Sequence, residues 1–406
     1  MDSLINSAAR ALAEGDPLAA LKRIALRDDA SALALRGIAM AQLGELARAK
    51  KLLGNAAHAF GAGEPVARAR CHLAIAEIAL VTRDLGRPMA GLGAARSTLE
   101  KFGDLPNAAH AGYLEARRLL LIGRLDEAEG ILDDLNVDVL PSTSRAGFAM
   151  VVAGIAMRRI HAKPARDALK RARSAADDVG NAALNVEVDR AVQAFEAPAV
   201  RLIARDGERL LCLDEVEALI ASDSLIIDAC RNVVRAGSTN FSLASRPVLF
   251  ALMRVLGEDW PDDASREELL IRAFRAREAD ESHRARLRVE IGRLREAISP
   301  LAEIHATEQG FVLEPHKARA VSVLAPPIEN DNGDVLALLA DGEAWSSSAL
   351  ALALDVSPRT VQRALDALAE NGKAEWFGHG RARRWIATSI PGFPTSLLLP
   401  ANGVAG

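Results

Sequence analysis

The chain has 406 residues and a formal net charge of −4; 50% of its residues are hydrophobic, but only 4% are aromatic. This length allows about two to four domains. Because the charge is nearly balanced, any affinity for nucleic acid must come from local basic patches. The scarcity of aromatic residues favours helices packed through small aliphatic side chains over an aromatic-rich β architecture.

The cysteines and the hydropathy of the chain exclude several classes of protein. Cys71, Cys212 and Cys230 are widely spaced and form no CxxC pair, which argues against a disulfide scaffold or a cysteine zinc site. The first residues lack the order of a signal peptide, and no apolar run approaches the length of about 20 residues that crosses a membrane. We therefore predict a soluble, cytoplasmic protein that does not bind membranes.

Residues 1–196 are predicted to be helical throughout, and a weak internal repeat runs through them. LGELARAKKLL (43–53) resembles IGRLDEAEGIL (122–132), and the same register falls on residues 83–88 and 163–168. The resulting period is about 40 residues. In each copy a turn-forming pair separates two apolar-periodic segments, which is typical of stacked helical hairpins.

This pattern resembles the tetratricopeptide repeat family, although the typical repeat there has about 34 residues and its aromatic positions are mostly absent here. The resemblance implies an N-terminal α-solenoid with a long concave surface, which we expect to bind a protein or peptide partner. The alternative is a plain helical bundle without a binding groove.

The pattern changes after EAPAV (196–200), where apolar and polar residues begin to alternate. Residues 200–213 predict a β-hairpin that turns at Asp206-Gly207, and residues 224–244 predict three short strands. Two further helices and a hairpin are predicted over residues 245–256, 265–274 and 303–315.

Between the second helix and the hairpin lies SHRARLRVEIGRLREAI (282–298), which is strongly basic. An apolar stripe on its helical wheel consists of Leu287, Ile291, Leu294 and Ile298. The flanking arginines are Arg284, Arg286, Arg288, Arg293 and Arg295. The opposite face carries Ala285, Val289 and Gly292, whose small side chains would let the helix approach DNA closely while guanidinium groups reach phosphates and guanine. The alternative is a solvated helix face.

The order of these elements resembles the OmpR/PhoB-type winged helix over about residues 224–315. The resemblance rests on FSLASRPVLFALMRVL, REELLIRAF, VEIGRLREAI and ATEQGFVLEP. It implies that the basic helix is a recognition helix and that Glu290, Gly292, Arg293 and Arg295 face DNA. Glu290 and Gly292 are not the basic or His types usual there, which shifts the expected contacts toward the arginines at the start of the helix. A structural or protein-binding use is the alternative.

Residues 321–334, rich in Pro, Asn and Asp, are predicted to be a linker. In the following SALALALDVSPRTVQRALDALAENGK (348–373), Ser357 is expected to cap a helix that starts at Pro358. The side chains predicted to pack inward are Leu350, Leu352, Leu354, Val361, Leu365 and Leu368.

This segment resembles the winged helix-turn-helix of the MarR/DeoR-like groups over about residues 333–388. Its wing would be WFGHGRARRW, and Trp345, Trp376 and Trp385 are expected to anchor the core. The predicted DNA-binding residues are Ser357, Arg359, Thr360, Gln362, Arg363, His379, Arg381, Arg383 and Arg384. A protein-interaction module is the alternative.

The sequence thus predicts a mainly α protein, with an N-terminal α-solenoid followed by two α+β winged-helix domains. The predicted segments are a tetratricopeptide-like repeat (1–196), a first winged helix with its preceding hairpin (200–320), a second winged helix (333–388) and a tail (389–406). No GxxxxGK[ST], GxGxxG or HExxH motif is present, so neither an enzyme nor a cofactor or metal site is expected.

These features predict a transcriptional regulator that binds double-stranded DNA. The alternative is a scaffold or adaptor that uses the repeat and the winged helices for assembly.

Overall fold

The computed structural model describes residues 3–82, 84, 91–180, 182–243, 245–274, 281–327, 332–339, 344–354, 356–380 and 383–387. The chain is mainly helical, with small sheets, and it divides into two compact units. The first, here called the array unit, comprises Met1–Arg159, Pro164–Ala194 and Asp331–Gly406. The second, the central unit, comprises Ile160–Lys163 and Phe195–Asn330.

The first 196 residues are helical wherever the structure describes them, apart from turns and short connections, as predicted. The helices are α1 Ser3–Ala13, α2 Pro17–Ile24, α3 Ala30–Gln42, α4 Leu46–Phe60, α5 Pro65–Val81, α6 Leu92–Lys101, α7 Leu105–Leu121, α8 Leu125–Asp133, α9 Ser142–Arg158, α10 Ala162–Val179 and α11 Ala182–Glu196. From α1 to α9, consecutive helices contact each other, and each odd-numbered helix also contacts the next odd-numbered one.

Two of the predicted repeat copies turn with the same backbone geometry. Gly44 and Gly123 have φ values of 82° and 78°, in the left-handed region that glycine adopts without a steric penalty. The Gly44 N–H donates to the Ala41 carbonyl at 3.0 Å, and the Gly123 N–H donates to the Leu120 carbonyl at 3.1 Å. The copy predicted at residues 83–88 lies outside the described residues except for Asp84.

The elements of the central unit follow one another as β1 Val200–Ala204, β2 Gly207–Leu211, α12 Leu213–Ile220, β3 Ser224–Asp228, β4 Val233–Ala236, β5 Thr239–Ser242, α13 Pro247–Glu258, β6 Ala264–Ser265, α14 Arg266–Phe274, α15 Glu281–Ile298, β7 Ala302–Ala306, β8 Gly310–Pro315 and β9 Ala320–Ala325. One sheet has the order β2-β1-β9-β3-β4-β5, and a second has the order β6-β8-β7. The predicted hairpins and strands of this region are confirmed.

The linker predicted over residues 321–334 is wrong at its start, because residues 320–325 form strand β9. This strand runs parallel to β3 and antiparallel to β1, with Val321 and Val323 buried. The run VSVLA is apolar enough for a buried strand, but its partners lie about a hundred residues upstream, so no local signal reveals the pairing. Helix α12 was also missed.

The C-terminal segment belongs to the array unit and consists of α16 Gly333–Leu339, α17 Ser347–Leu354, α18 Pro358–Glu370, β10 Ala374–Phe377 and β11 Arg384–Ala387. Trp345 forms a β-bridge with Trp385, and both are buried. Buried residues of α16, α17 and α18 form one contiguous hydrophobic cluster with residues of α5 to α9.

Two side chains predicted to lie in the core of this segment are exposed. Leu352 is 48% exposed and Trp376 is 52% exposed, so both predictions are wrong. Leu350 and Leu352 are two residues apart, and positions with that spacing lie on different faces of a helix. Leu350 is the one that is buried.

Among the described helices, none combines the length and the apolar character that a crossing of a lipid bilayer requires.

Candidate nucleic-acid interface

Helix α15 has the two-faced character that its sequence predicts. All four predicted stripe residues, Leu287, Ile291, Leu294 and Ile298, are buried in the core of the central unit. On the opposite face Ala285, Val289 and Gly292 are exposed, and a Cβ added to Gly292 would meet no atom within 4 Å. The helix therefore presents a smooth, open face flanked by arginines.

The arginine side chains of α15 differ in their exposure and in the groups they contact. Arg284, Arg286 and Arg288 are exposed, and the guanidinium carbon of Arg286 lies 4.7 Å from the centre of the Phe274 ring. Arg293 donates to the Glu290 carboxylate at 2.9 Å. The helix begins at Glu281, but residues 283–289 include no acidic residue, whereas Glu290 and Glu296 follow them.

Arg295 is used within the protein. Its Nε donates to the carbonyl oxygen of Ile304 on β7 at 2.7 Å, which ties α15 to the hairpin that follows. A second arginine, Arg266, donates to the carbonyls of Thr307 and Glu308 at the hairpin tip, at 2.8 and 2.7 Å. Arg266 was not among the predicted site residues. It holds the hairpin tip through contacts about 40 residues away in sequence, which a local sequence pattern does not reveal.

The β7-β8 hairpin, predicted as the wing, carries no Lys or Arg between Ala302 and Pro315. Glu303 and Glu314 pair across its two strands and are exposed, with His305 Nε2 lying 2.9 Å from a carboxylate oxygen of Glu314. This exposed face of the hairpin is therefore acidic, unlike the first half of α15.

Helix α18 begins as predicted. The Ser357 hydroxyl accepts a hydrogen bond from the Thr360 N–H at 3.2 Å, and Pro358 occupies the first helical position. The predicted inward residues Val361, Leu365 and Leu368 are buried. Arg359 and Arg363 are exposed one helical turn apart.

Gln362 is half-buried and donates to Asp366 at 2.8 Å, and the hydroxyls of Ser357 and Thr360 lie 2.9 Å apart. Both arrangements occupy polar groups that the sequence assigns to DNA. Arg359 and Arg363 therefore provide the accessible positive charge of this helix.

Two of the predicted wing arginines contact the protein itself. The guanidinium carbon of Arg383 lies 4.4 Å from the ring centre of Trp376 and 4.3 Å from that of Trp385. Arg384 donates from Nε to the carbonyl oxygen of Thr82, which caps the end of α5, at 3.1 Å. These two side chains hold the wing together and attach it to α5.

The remaining predicted residues of the wing are His379, which is exposed at the tip, and Arg381, which lies outside the described residues. Trp376 and Phe377 are also exposed on β10. Their exposure could not be inferred from the sequence, because aromatic residues in a short strand are more often buried.

No group of three or more His, Cys, Asp or Glu side chains within the described part of the chain is arranged to hold a metal ion. No protein-family model, no curated protein and no solved structure matches the chain. The family resemblances drawn from the sequence therefore stay predictions.

Proposed function

We propose that the chain is a DNA-binding transcriptional regulator with two winged helices, one in the central unit and one in the C-terminal segment. The observation that carries the proposal is that one element order occurs twice. In the central unit, α13, β6, α14, α15, β7 and β8 follow each other, and the sheet order is β6-β8-β7. In the C-terminal segment, α16, the bridge residue Trp345, α17, α18, β10 and β11 follow each other, and β11 pairs with both Trp345 and β10.

In both segments the third helix exposes at least two arginines away from its buried stripe. A helix with such a face fits the major groove of B-DNA, where arginines reach phosphates and the edge of guanine. For α15, the open face at Ala285 and Gly292 and the exposed Arg286 and Arg288 support contact through its first half. For α18, Arg359 and Arg363 play the corresponding part.

The helical array is proposed to be the input half of the regulator. Contacts between successive odd-numbered helices, together with the matched turns at Gly44 and Gly123, support a stack of helical hairpins. Stacks of this kind present an extended surface to a protein or peptide.

A scaffold or adaptor is the second candidate function, and the C-terminal segment favours it. Arg383 and Arg384 are engaged within the protein, whereas Trp376 and Phe377 are exposed. Exposed aromatic residues are enriched in protein interfaces.

The proposal is tested by mobility-shift titrations of the full chain on duplex DNA over a series of salt concentrations. We expect Arg286→Ala/Arg288→Ala to lower the slope of log affinity against log salt by about one unit for each phosphate that the variant no longer neutralises. Arg205 and Lys317 are exposed in the same unit, and Arg205→Ala/Lys317→Ala removes the same charge from residues outside α15.

If both double variants change the slope equally, the affinity reflects overall charge and α15 is not the DNA-binding helix. If the wild-type chain binds no DNA even at low salt, the scaffold function takes the place of the regulator.

A further inference from the structure

A small polar cavity lies inside the helical array, where α5, α7, α9 and α11 meet. Its volume is about 20 Å³, and its lining includes Glu77 from α5, His110 from α7 and Ser144 from α9. These three side chains are only 7%, 1% and 3% exposed. Val81 and Met150, also in the lining, are only half-buried, so the lining of the cavity reaches the protein surface.

Three polar atoms of the lining make no hydrogen bond with any described residue. They are Glu77 Oε2, His110 Nε2 and Thr143 Oγ1. Glu77 Oε2 and His110 Nε2 lie 3.6 Å apart, beyond a normal hydrogen bond. Because a buried polar atom without a partner is costly, three of them around one cavity mark a place where a hydrogen-bonding group is stabilised.

The other ring nitrogen of His110 is already engaged, with Nδ1 2.9 Å from Ser144 Oγ. A Ser, a His and a Glu in contact suggest nucleophilic catalysis, but a nucleophile needs an adjacent space for its substrate. Ser144 is buried and the cavity of about 20 Å³ leaves room for one water-sized group, not for an acyl group. Binding, not catalysis, fits the cavity.

The two carboxylates that line the cavity have different partners. Arg117 donates to Glu187 at 2.6 Å and to the Tyr113 hydroxyl at 3.2 Å, so Glu187 is paired. Among the described residues, Glu77 has the His110 imidazole, at 3.6 Å, as its ion-pair partner, although Arg117 also lines the cavity. A ligand group that enters should therefore be small, positively charged and rich in donors.

We infer that this cavity is a binding site for a primary ammonium group. Such a group has one heavy atom at its head and three N–H donors, which match the three unpartnered atoms. When His110 Nδ1–H donates to Ser144, Nε2 is left as an acceptor for the ammonium group. The remainder of the ligand then extends out of the cavity past the half-buried Val81 and Met150. This site goes beyond the proposed function and does not depend on DNA binding.

The experiment is thermal unfolding of the full chain in n-butylammonium chloride, with tetramethylammonium chloride at equal ionic strength as the reference. Both cations carry one charge, but only the first has N–H donors. We expect a saturable rise in Tm with n-butylammonium alone, because a ligand that binds only the folded state stabilises it. Glu77→Gln should weaken the apparent affinity about tenfold or more.

Glu45→Gln is the matched control, because Glu45 is exposed in a turn of the same unit. It should retain the wild-type rise. If Glu77→Gln does not fold, Thr143→Val provides the same comparison. Equal effects of the two cations, no saturable rise, or an unchanged rise in the cavity variant would each overturn the site.

A third ligand distinguishes two sources of the ammonium group. If Nα-acetyl-lysine methylamide also raises Tm, the site accepts a lysine side chain of a protein partner. If only n-butylammonium does so, the site takes a free amine.

Discussion

At the scale of single residues, an arginine can bind a partner only if its guanidinium group is not already engaged within the protein. Arg383 and Arg384 lie in a sequence that is predicted to be a DNA-contacting wing. Arg383, however, packs against two neighbouring indole rings, and Arg384 donates to the carbonyl at the end of α5. Arg363, in contrast, is exposed on α18. Sequence identifies the positive charge but cannot tell which guanidinium groups are already used.

The two kinds of arginine should separate in measurements on variants. Arg383→Ala should lower the free energy of unfolding of the array unit by about 1–3 kcal/mol, since it removes two cation–π contacts and their packing. Arg363→Ala should change it by less than about 0.5 kcal/mol but weaken DNA binding. Denaturant unfolding followed by tryptophan fluorescence is suitable, because Trp345, Trp376 and Trp385 all lie in this segment. A large stability loss in Arg363→Ala alone would reverse the assignment.

The cysteines report on burial at the same scale. Burial raises the pKa of the Cys71 thiol to about 12, whereas Cys230 is exposed. Since the thiolate is the reactive form, Cys71 should resist a thiol reagent near pH 8 until the array unfolds. Cys230 should react first, ahead of the half-buried Cys212, and Cys230→Ser should remove that fastest phase. Rapid native-state labelling of Cys71 would show that α5 opens locally.

At the scale of elements, periodicity predicted most of the helices and hairpins, and its failure at β9 has a physical cause. The apolar stripe of α15, the cap of α18 and the hairpins depend on neighbours within a few residues, so local pattern was sufficient. Strand β9 pairs with β1 and β3, which are far away in sequence, and so it was mistaken for a linker. The candidate site shows the same difference. The exposed face of α15 was predicted from local periodicity, whereas the hydrogen bonds from Arg266 to the hairpin tip were not predicted.

Because β9 lies in the middle of its sheet, we expect substitutions of its buried residues to destabilise the central unit. Val323 is fully buried between β1 and β3, so Val323→Ala should lower the free energy of unfolding of the central unit by about 2 kcal/mol. Val289→Ala makes the same chemical change on the exposed face of α15 and should be nearly neutral. Urea unfolding of both variants measures the difference. Equal, small effects would mean that residues 320–325 do behave as a linker.

At the scale of the whole molecule, the two proposed DNA-binding segments have different surroundings. The first lies in the central unit, which has its own buried cluster around α13 and α15. The second shares a buried cluster with α5 to α9 and is attached to the end of α5 by Arg384. Helix α5 also carries Glu77 in the wall of the polar cavity, five residues before the Thr82 carbonyl that binds Arg384.

This arrangement predicts that the C-terminal segment stabilises the array and not the central unit. Removing residues 331–406 would expose the buried faces of α5 and α7 that belong to the shared cluster, because side chains such as Trp345 and Leu350 are part of it. Hydrogen exchange should then accelerate in α5 and α7 and stay unchanged in α13 and α15. Truncation after Ala387 removes only the last residues of the chain and should leave both regions protected. Unchanged exchange in α5 and α7 after the longer truncation would show that residues 333–388 fold as the independent domain that the sequence predicts.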